Sequence, residues 1–151
     1  MNTIENIYRD YNGGYFKTLV SPVQSAGTLA VIEMVLPKGS EPPKHVHAHE
    51  DETFYMLEGR IYFEIGDEQI EIGPGDSAFA PRGIPHLFKI LDEQAKFITI
   101  ISPGKFSEYF IEFSVPTMGE PKITPLQGPP PPEVIELLID RMVNVYGVNF
   151  A

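Results

Sequence analysis

Residues 39–59 read GSEPPKHVHAHEDETFYMLEG and hold three of the chain's four histidines, His45, His47 and His49. The fourth, His86, closes a second stretch, residues 75–86, reading GDSAFAPRGIPH. Imidazoles and carboxylates are borderline-to-hard ligands for a first-row divalent metal, and little else gathers them in this way. In a strand, residues i and i+2 share a face about 7 Å apart, so His45 and His47 can aim at one ion. Glu52 has the opposite parity. Residues 48–51 must therefore turn or bulge before Glu52 opens a returning strand, with Phe54 and Met56 on its face. His86 is remote in sequence and has to arrive from another strand. Any one of these histidines alone reads more simply as a hydrogen-bonded structural residue. His49 falls in the expected turn, where a solvent-facing or supporting role fits better than ligation. Glu50 and Asp51 read as turn residues that add negative potential near a cation.

Outward from these stretches the chain is strand-rich. Segments 28–36, 52–58, 60–65, 69–72, 76–80, 86–91 and 95–102 are short, β-branched or aromatic, and separated by turn signals such as Glu58-Gly59, Gly66-Asp67 and Gly73-Pro74-Gly75. Many short strands without room for intervening helices argue for an all-β sandwich or barrel. Helical patterns come late. Ser102 and Pro103 can serve as N-cap and first helical residue, followed by Phe106, Tyr109, Phe110 and Phe113 at i, i+3, i+4 and i+7. A proline-rich stretch, with Pro116, Pro121, Pro125 and Pro129 to Pro132, is expected to run extended over the surface. A second helix is expected over 133–146, with a stripe of Ile135, Leu138, Ile139, Met142 and Tyr146, and Gly147 as its stop.

Composition narrows the classes. A length of 151 residues suggests one domain over 1–151, with a β core at about 14–102 and a helical, proline-rich extension over 103–151. Cysteine is absent, which rules out thiolate ligation and disulfides. A net charge of -10 and the lack of a basic run argue against nucleic-acid binding. No apolar run is long enough to span a bilayer, and residues 1–10 lack the features of a signal peptide, so a cytoplasmic protein is expected.

With these residues in view, the first stretch resembles the first signature of the cupin superfamily: glycine, HxH, glutamate and closing glycine. The second resembles the family's second signature, in Gly75, Pro81, Gly83 and His86. The resemblance covers about 39–90. It implies a jelly-roll antiparallel β-barrel, here with C-terminal helices, and His45, His47, Glu52 and His86 as ligands of one divalent transition metal (Fe, Mn, Ni, Co, Zn or Cu). The family's second signature usually ends in asparagine, and Ile90 stands there instead. The pocket beside the metal should therefore be more apolar than usual, with Phe54, Met56, Phe88 and Ile90 as its expected lining. More closely, the chain is similar to small single-domain cupins described as quercetin-dioxygenase-like.

That resemblance implies a metal-dependent dioxygenase acting on a small apolar or aromatic enolic substrate with dioxygen. Glu52 would be both ligand and proton acceptor. One alternative is an isomerase, epimerase or lyase that uses the metal as a Lewis acid; it needs cations in the pocket, from Lys44, Arg60, Arg82 or Lys89. Another is a small-molecule-binding module without catalysis. A homodimer is expected, through a free barrel edge or the 133–146 helix.

Overall fold

The computed structural model describes residues 7–151; the start of the expected domain and most of the segment read for a signal peptide lie outside the described residues. Among the described residues, twelve strands fall into two antiparallel sheets. In chain order they are β1 (Tyr8–Tyr11), β2 (Gly14–Val20), β3 (Ala30–Pro37), β4 (His45–His47), β5 (Asp51–Glu58), β6 (Ile61–Ile65), β7 (Glu68–Ile72), β8 (Ser77–Ala80), β9 (His86–Ile90), β10 (Gln94–Ser102), β11 (Val115–Pro116) and β12 (Val148–Phe150). The larger sheet runs β11-β1-β2-β3-β10-β5-β8 and the smaller β12-β4-β9-β6-β7. The expected barrel is thus a jelly roll of two facing sheets rather than one closed sheet.

Alternation of side chains explains the layering. In β10, Ala95, Phe97, Thr99 and Ile101 are buried while their neighbours are partly exposed; in β6, Ile61, Phe63 and Ile65 are buried. Such strands can only lie with one face on a core. The core joins the sheets through aromatic rings. Phe54 of the larger sheet lies 4.9 Å from Phe63 and 6.1 Å from Phe88 of the smaller, and Phe97 lies 6.1 Å from Phe88. Each buried phenyl contributes about 1.5–3 kcal/mol relative to exposure.

The seven expected central strands form within one or two residues of their expected bounds. The ends differ. Ser102 does not cap a helix: β10 runs through it, its hydroxyl donates to Thr28 O at 3.1 Å, and the Ser102–Pro103 peptide is cis. The expected first helix is a 3-10 turn, Gly104–Phe106, followed by a six-residue α1 (Ser107–Glu112). Gly104 is needed there, since a Cβ would meet Leu29 O at 2.7 Å. The proline stretch is largely exposed, as expected, although Pro116 pairs with Arg9 in β11.

The second helix, α2 (Pro132–Asn144), starts one residue earlier than expected, with Pro132 at its first position, where the missing N–H costs nothing. Of its expected stripe, Met142 is buried, while Ile135 and Ile139 are 36% and 44% exposed. Tyr146, just past the helix, is buried and donates to Glu112 Oε2 at 2.9 Å; Arg141 donates to the same oxygen at 2.9 Å, tying α2 to α1.

Gly147 then turns the chain with φ +67, and β12 pairs with β4 in the register Val148↔His47 and Phe150↔His45. The segment expected as an outer extension thus completes the smaller sheet beside the histidine strand. A Cβ at Gly147 would also meet the His49 ring at 2.6 Å. Gly147→Ala is expected to lower stability by about 1–2 kcal/mol in a denaturant titration, from the left-handed backbone alone and then from displacing His49.

Candidate metal centre

Strand β4 ends at His47, residues 48–50 turn, and β5 opens with Asp51 and Glu52, as the parity of Glu52 requires. His45 sits opposite His86 across β4 and β9, with ring centroids 4.5 Å apart. Glu52 comes from the facing sheet. One ligand atom from each of His45, His47, Glu52 and His86 lies within 4.8 Å of the others, and all four residues are buried. The chain folds so that four separated polar groups share one point.

The outer nitrogens of the three rings are occupied. His45 Nδ1 lies 2.8 Å from Pro43 O, His86 Nδ1 3.3 Å from Ile84 O, and His47 Nδ1 2.8 Å from Glu50 Oε1. With Nδ1 donating outward, each ring presents a lone pair on Nε2 to the centre, the form a metal requires. Glu52 Oε2 approaches His86 Nε2 to 3.2 Å and Oε1 approaches His47 Nε2 to 3.5 Å. These are short contacts without hydrogen-bond alignment, and the buried Nε2 atoms of His47 and His86 have no partner among the described residues. Buried polar atoms are normally satisfied. Two orphaned nitrogens beside a carboxylate fit a divalent cation, and this group could hold one.

Electrostatics agree. Burial holds the His45 ring down at about 4, helped by the charge of His86, so the ring is neutral near pH 7. Burial alone would raise the Glu52 carboxyl, but His47 and His86 outweigh it and hold it at about 2. The His47 ring is raised despite burial, because Glu52 and then Glu50 favour its charged form. The cluster thus keeps an ionised carboxylate and one imidazole drawn toward a positive charge, which a bound cation would supply instead.

Glu50 is the functional residue the sequence reading missed. It is 4% exposed, and its carboxylate fixes the His47 ring. The triplet His49-Glu50-Asp51 read as a turn, and nothing in its composition shows which member points inward. His49 is exposed and stands clear of the centre. Asp51 has a positional role. It accepts from the Arg82 backbone N–H at 2.8 Å and from its guanidinium at 3.2 Å, while Gly83 N–H donates to His47 O at 2.8 Å. These bonds clamp the 81–85 turn, which delivers His86, onto the HxH strand.

A cavity of about 70 Å³ opens on the centre, lined in part by His45, Glu52 and His86. Phe54 and Phe88 line it. Met56 and Ile90 do not: both are packed in the core at 0% and 1% exposure. The Ile90 amide instead donates to Glu41 at 2.9 Å. Phe97, Phe106, Phe110, Tyr11, Tyr109 and Met142 complete the wall. A second, outer cavity of about 530 Å³ shares Tyr11, Ser40, Pro42, Tyr109 and Met142 with the inner one.

If the Glu50 carboxylate sets the donor strength of His47, Glu50→Gln should weaken metal binding by about 10–100-fold in a chelator competition, and His49→Ala should leave it unchanged. Equal losses in the two variants would contradict the assignment.

The family model for the cupin domain matches residues 32–101. The chain is 30% identical over 95 residues to quercetin 2,3-dioxygenase of Bacillus subtilis, a match covering 63% of this chain and 27% of that protein. It is 33% identical over 102 residues to an oxalate decarboxylase of the same organism, covering 64% of this chain and 26% of that protein. The chain therefore spans about a quarter of the length of these two curated relatives. A solved structure of a predicted oxalate decarboxylase from Thermotoga maritima superposes with a TM-score of 0.57 at 25% identity, over 68% of this chain and 96% of that one. The two paired sheets, the HxH-and-glutamate strands with His86 beside them, and these matches agree: residues 32–101 carry a cupin domain.

Proposed function

We propose that the protein is a metal-dependent dioxygenase whose substrate is a small enolic or hydroxylated molecule with an apolar body. The observation that carries the reading is an ionisable cluster, complete enough to hold a cation, at the floor of a cavity whose other walls are almost wholly apolar. The ion would be held by His45, His47, Glu52 and His86, and its chemistry would be to acidify and orient a bound hydroxyl and to offer a site for dioxygen. The match to a quercetin 2,3-dioxygenase supports this class.

The match to an oxalate decarboxylase raises a second class, and charge weighs against it. No lysine or arginine lines the inner cavity among the described residues. The basic residues that a polar or phosphorylated substrate would need are engaged elsewhere. Arg82 pairs with Asp51, Arg60 with Glu71 and Asp92, and Lys44 with Glu64, while Lys89 is exposed. A dianion would leave one carboxylate buried without a partner, at a cost of several kcal/mol. The same absence weighs against an isomerase or epimerase of phosphorylated sugars.

Size adds a constraint. An apolar cavity of about 150 Å³ holds one benzene, so the inner chamber of about 70 Å³ takes only the reacting head of a larger substrate. The remainder would extend past Tyr11, Tyr109 and Met142 into the outer chamber. Glu52 takes the proton of the substrate hydroxyl. Held at about 2 by His47 and His86, it is a weak base where it stands, so it accepts a proton only from a strongly acidified group or after turning away from the rings. The apolar wall keeps water from competing for that proton. We read the chain as one cupin domain over 1–151. The exposed apolar residues of α2, among them Leu137 at 51% and Ile139 at 44%, support a homodimer, which sedimentation would reveal as twice the chain mass.

Oxygen uptake is the test. Iron, manganese, nickel and cobalt forms should be assayed with quercetin, pentane-2,4-dione and 1-phenylbutane-1,3-dione. At least one pairing should consume oxygen, and Glu52→Gln should slow it by about 100-fold or more. Silence across all forms would reject the dioxygenase reading. Met142→Ala, which thins the wall between the chambers, should shift kcat/KM toward the phenyl-bearing dione by about tenfold relative to the smaller one.

A further inference from the structure

Among the described residues, one fully buried side-chain hydroxyl has no hydrogen-bond partner, and its residue lies on the wall of the inner cavity. Ser40 donates to Pro37 O at 2.7 Å. Thr99, 2% exposed, has an Oγ1 with no hydrogen-bond partner among the described residues. A buried hydroxyl without a partner is uncommon and destabilises the fold. It is most simply kept where something that is not part of the protein satisfies it.

Its position limits what that something is. Thr99 lies on β10 between Phe97 and Ile101, all three facing inward. Across the ladder to β5, Thr99 is opposite Phe54 and Ile101 is opposite Glu52. Thr99 is therefore the diagonal neighbour of Glu52 on the same face, about 7–8 Å away along the backbone. Thr99 and three residues of the candidate metal centre, His45, Glu52 and His86, line the same small cavity. The remaining wall nearby (Met34, Leu36, Phe54, Phe88 and Phe97) offers no hydrogen bond.

We propose that Thr99 is the specificity-determining residue of this site: its hydroxyl bonds a second oxygen of the substrate, whose first oxygen sits beside His45, Glu52 and His86. The substrate class is thereby a neutral or singly charged molecule with two oxygens on adjacent or alternate carbons, as in an enolised diketone or a hydroxyketone. A substrate with one oxygen would leave Thr99 unpaired, and discrimination against it follows from that loss. The inference rests on the enolic-substrate reading and adds to it the atom that recognises the second oxygen.

The test uses the cobalt-loaded full chain and two probes read by the visible spectrum of the metal. Azide contacts the ion alone; pentane-2,4-dione brings two oxygens. Thr99→Val removes the hydroxyl at nearly constant shape, and Thr99→Ser keeps it. The dione should bind about tenfold more weakly to Thr99→Val than to wild type, and Thr99→Ser should restore at least half of the lost binding free energy, while azide binds all three alike. The Tm of Thr99→Val without probe should equal or exceed that of wild type, since no existing bond is broken.

Equal dione binding by wild type and Thr99→Val would overturn the proposal. So would a Tm lowered by several degrees in Thr99→Val, which would show that the hydroxyl already has a partner. If wild type binds azide but not the dione, the two-oxygen substrate fails while the open metal centre stands. If it binds neither, the centre itself is not open and both readings fail.

Discussion

Two imidazole nitrogens without partners among the described residues, packed against a carboxylate inside a mostly apolar wall, are the constraint on which the rest of the molecule turns. Each unsatisfied buried polar atom costs about 1–3 kcal/mol, comparable to a sizeable part of a domain's net stability. A fold that only needed to bury its core would place valine or phenylalanine at these positions. The arrangement is instead maintained by dedicated bonds: Pro43 O and Ile84 O on two of the rings and Glu50 on the third. A cation would turn the uncompensated cluster into a satisfied one and add its binding free energy to folding.

The architecture follows from delivering four groups to one point. Pairing of β4 with β9 sets His45 beside His86, and the facing sheet brings Glu52 from across the core. The Asp51–Arg82 pair and the Gly83–His47 bond hold the two motif loops against each other at the surface. Behind them, β12 braces β4 along its other edge, so the C-terminal residues help fix the histidine strand. The 3-10 turn after β10 adds Phe106, whose ring centroid lies 4.6 Å from that of His47. Strands carry the four residues of the candidate centre, whereas Tyr109 and Phe110 of α1 and Met142 of α2 help to wall the cavity.

Much of this was legible in the chain. The i and i+2 spacing of His45 and His47, the reversed parity of Glu52 and the turn residues around His86 are consequences of strand geometry, and they point to the four residues the fold gathers and to the central strands. Glu50 was not legible, because a three-residue turn of His49, Glu50 and Asp51 does not declare which side chain faces in. Met56 and Ile90 share parity with pocket residues, yet they lie deeper along their strands than the cavity reaches. Strand β12 is three residues long and follows a helix, so its pairing with β4 depends on contacts remote in sequence. Ser102-Pro103 has the composition of a helix start, but a long-range bond to Thr28 keeps Ser102 in β10.

The most direct measurement is X-ray absorption at the metal edge of the zinc-loaded protein. Three imidazole rings and one carboxylate oxygen are expected around a single ion, with Zn–N distances of about 2.0–2.1 Å. His86→Ala is expected to lose one imidazole from that shell. A spectrum with fewer than three imidazoles, or one unchanged by His86→Ala, would contradict the convergence of these four side chains on one cation.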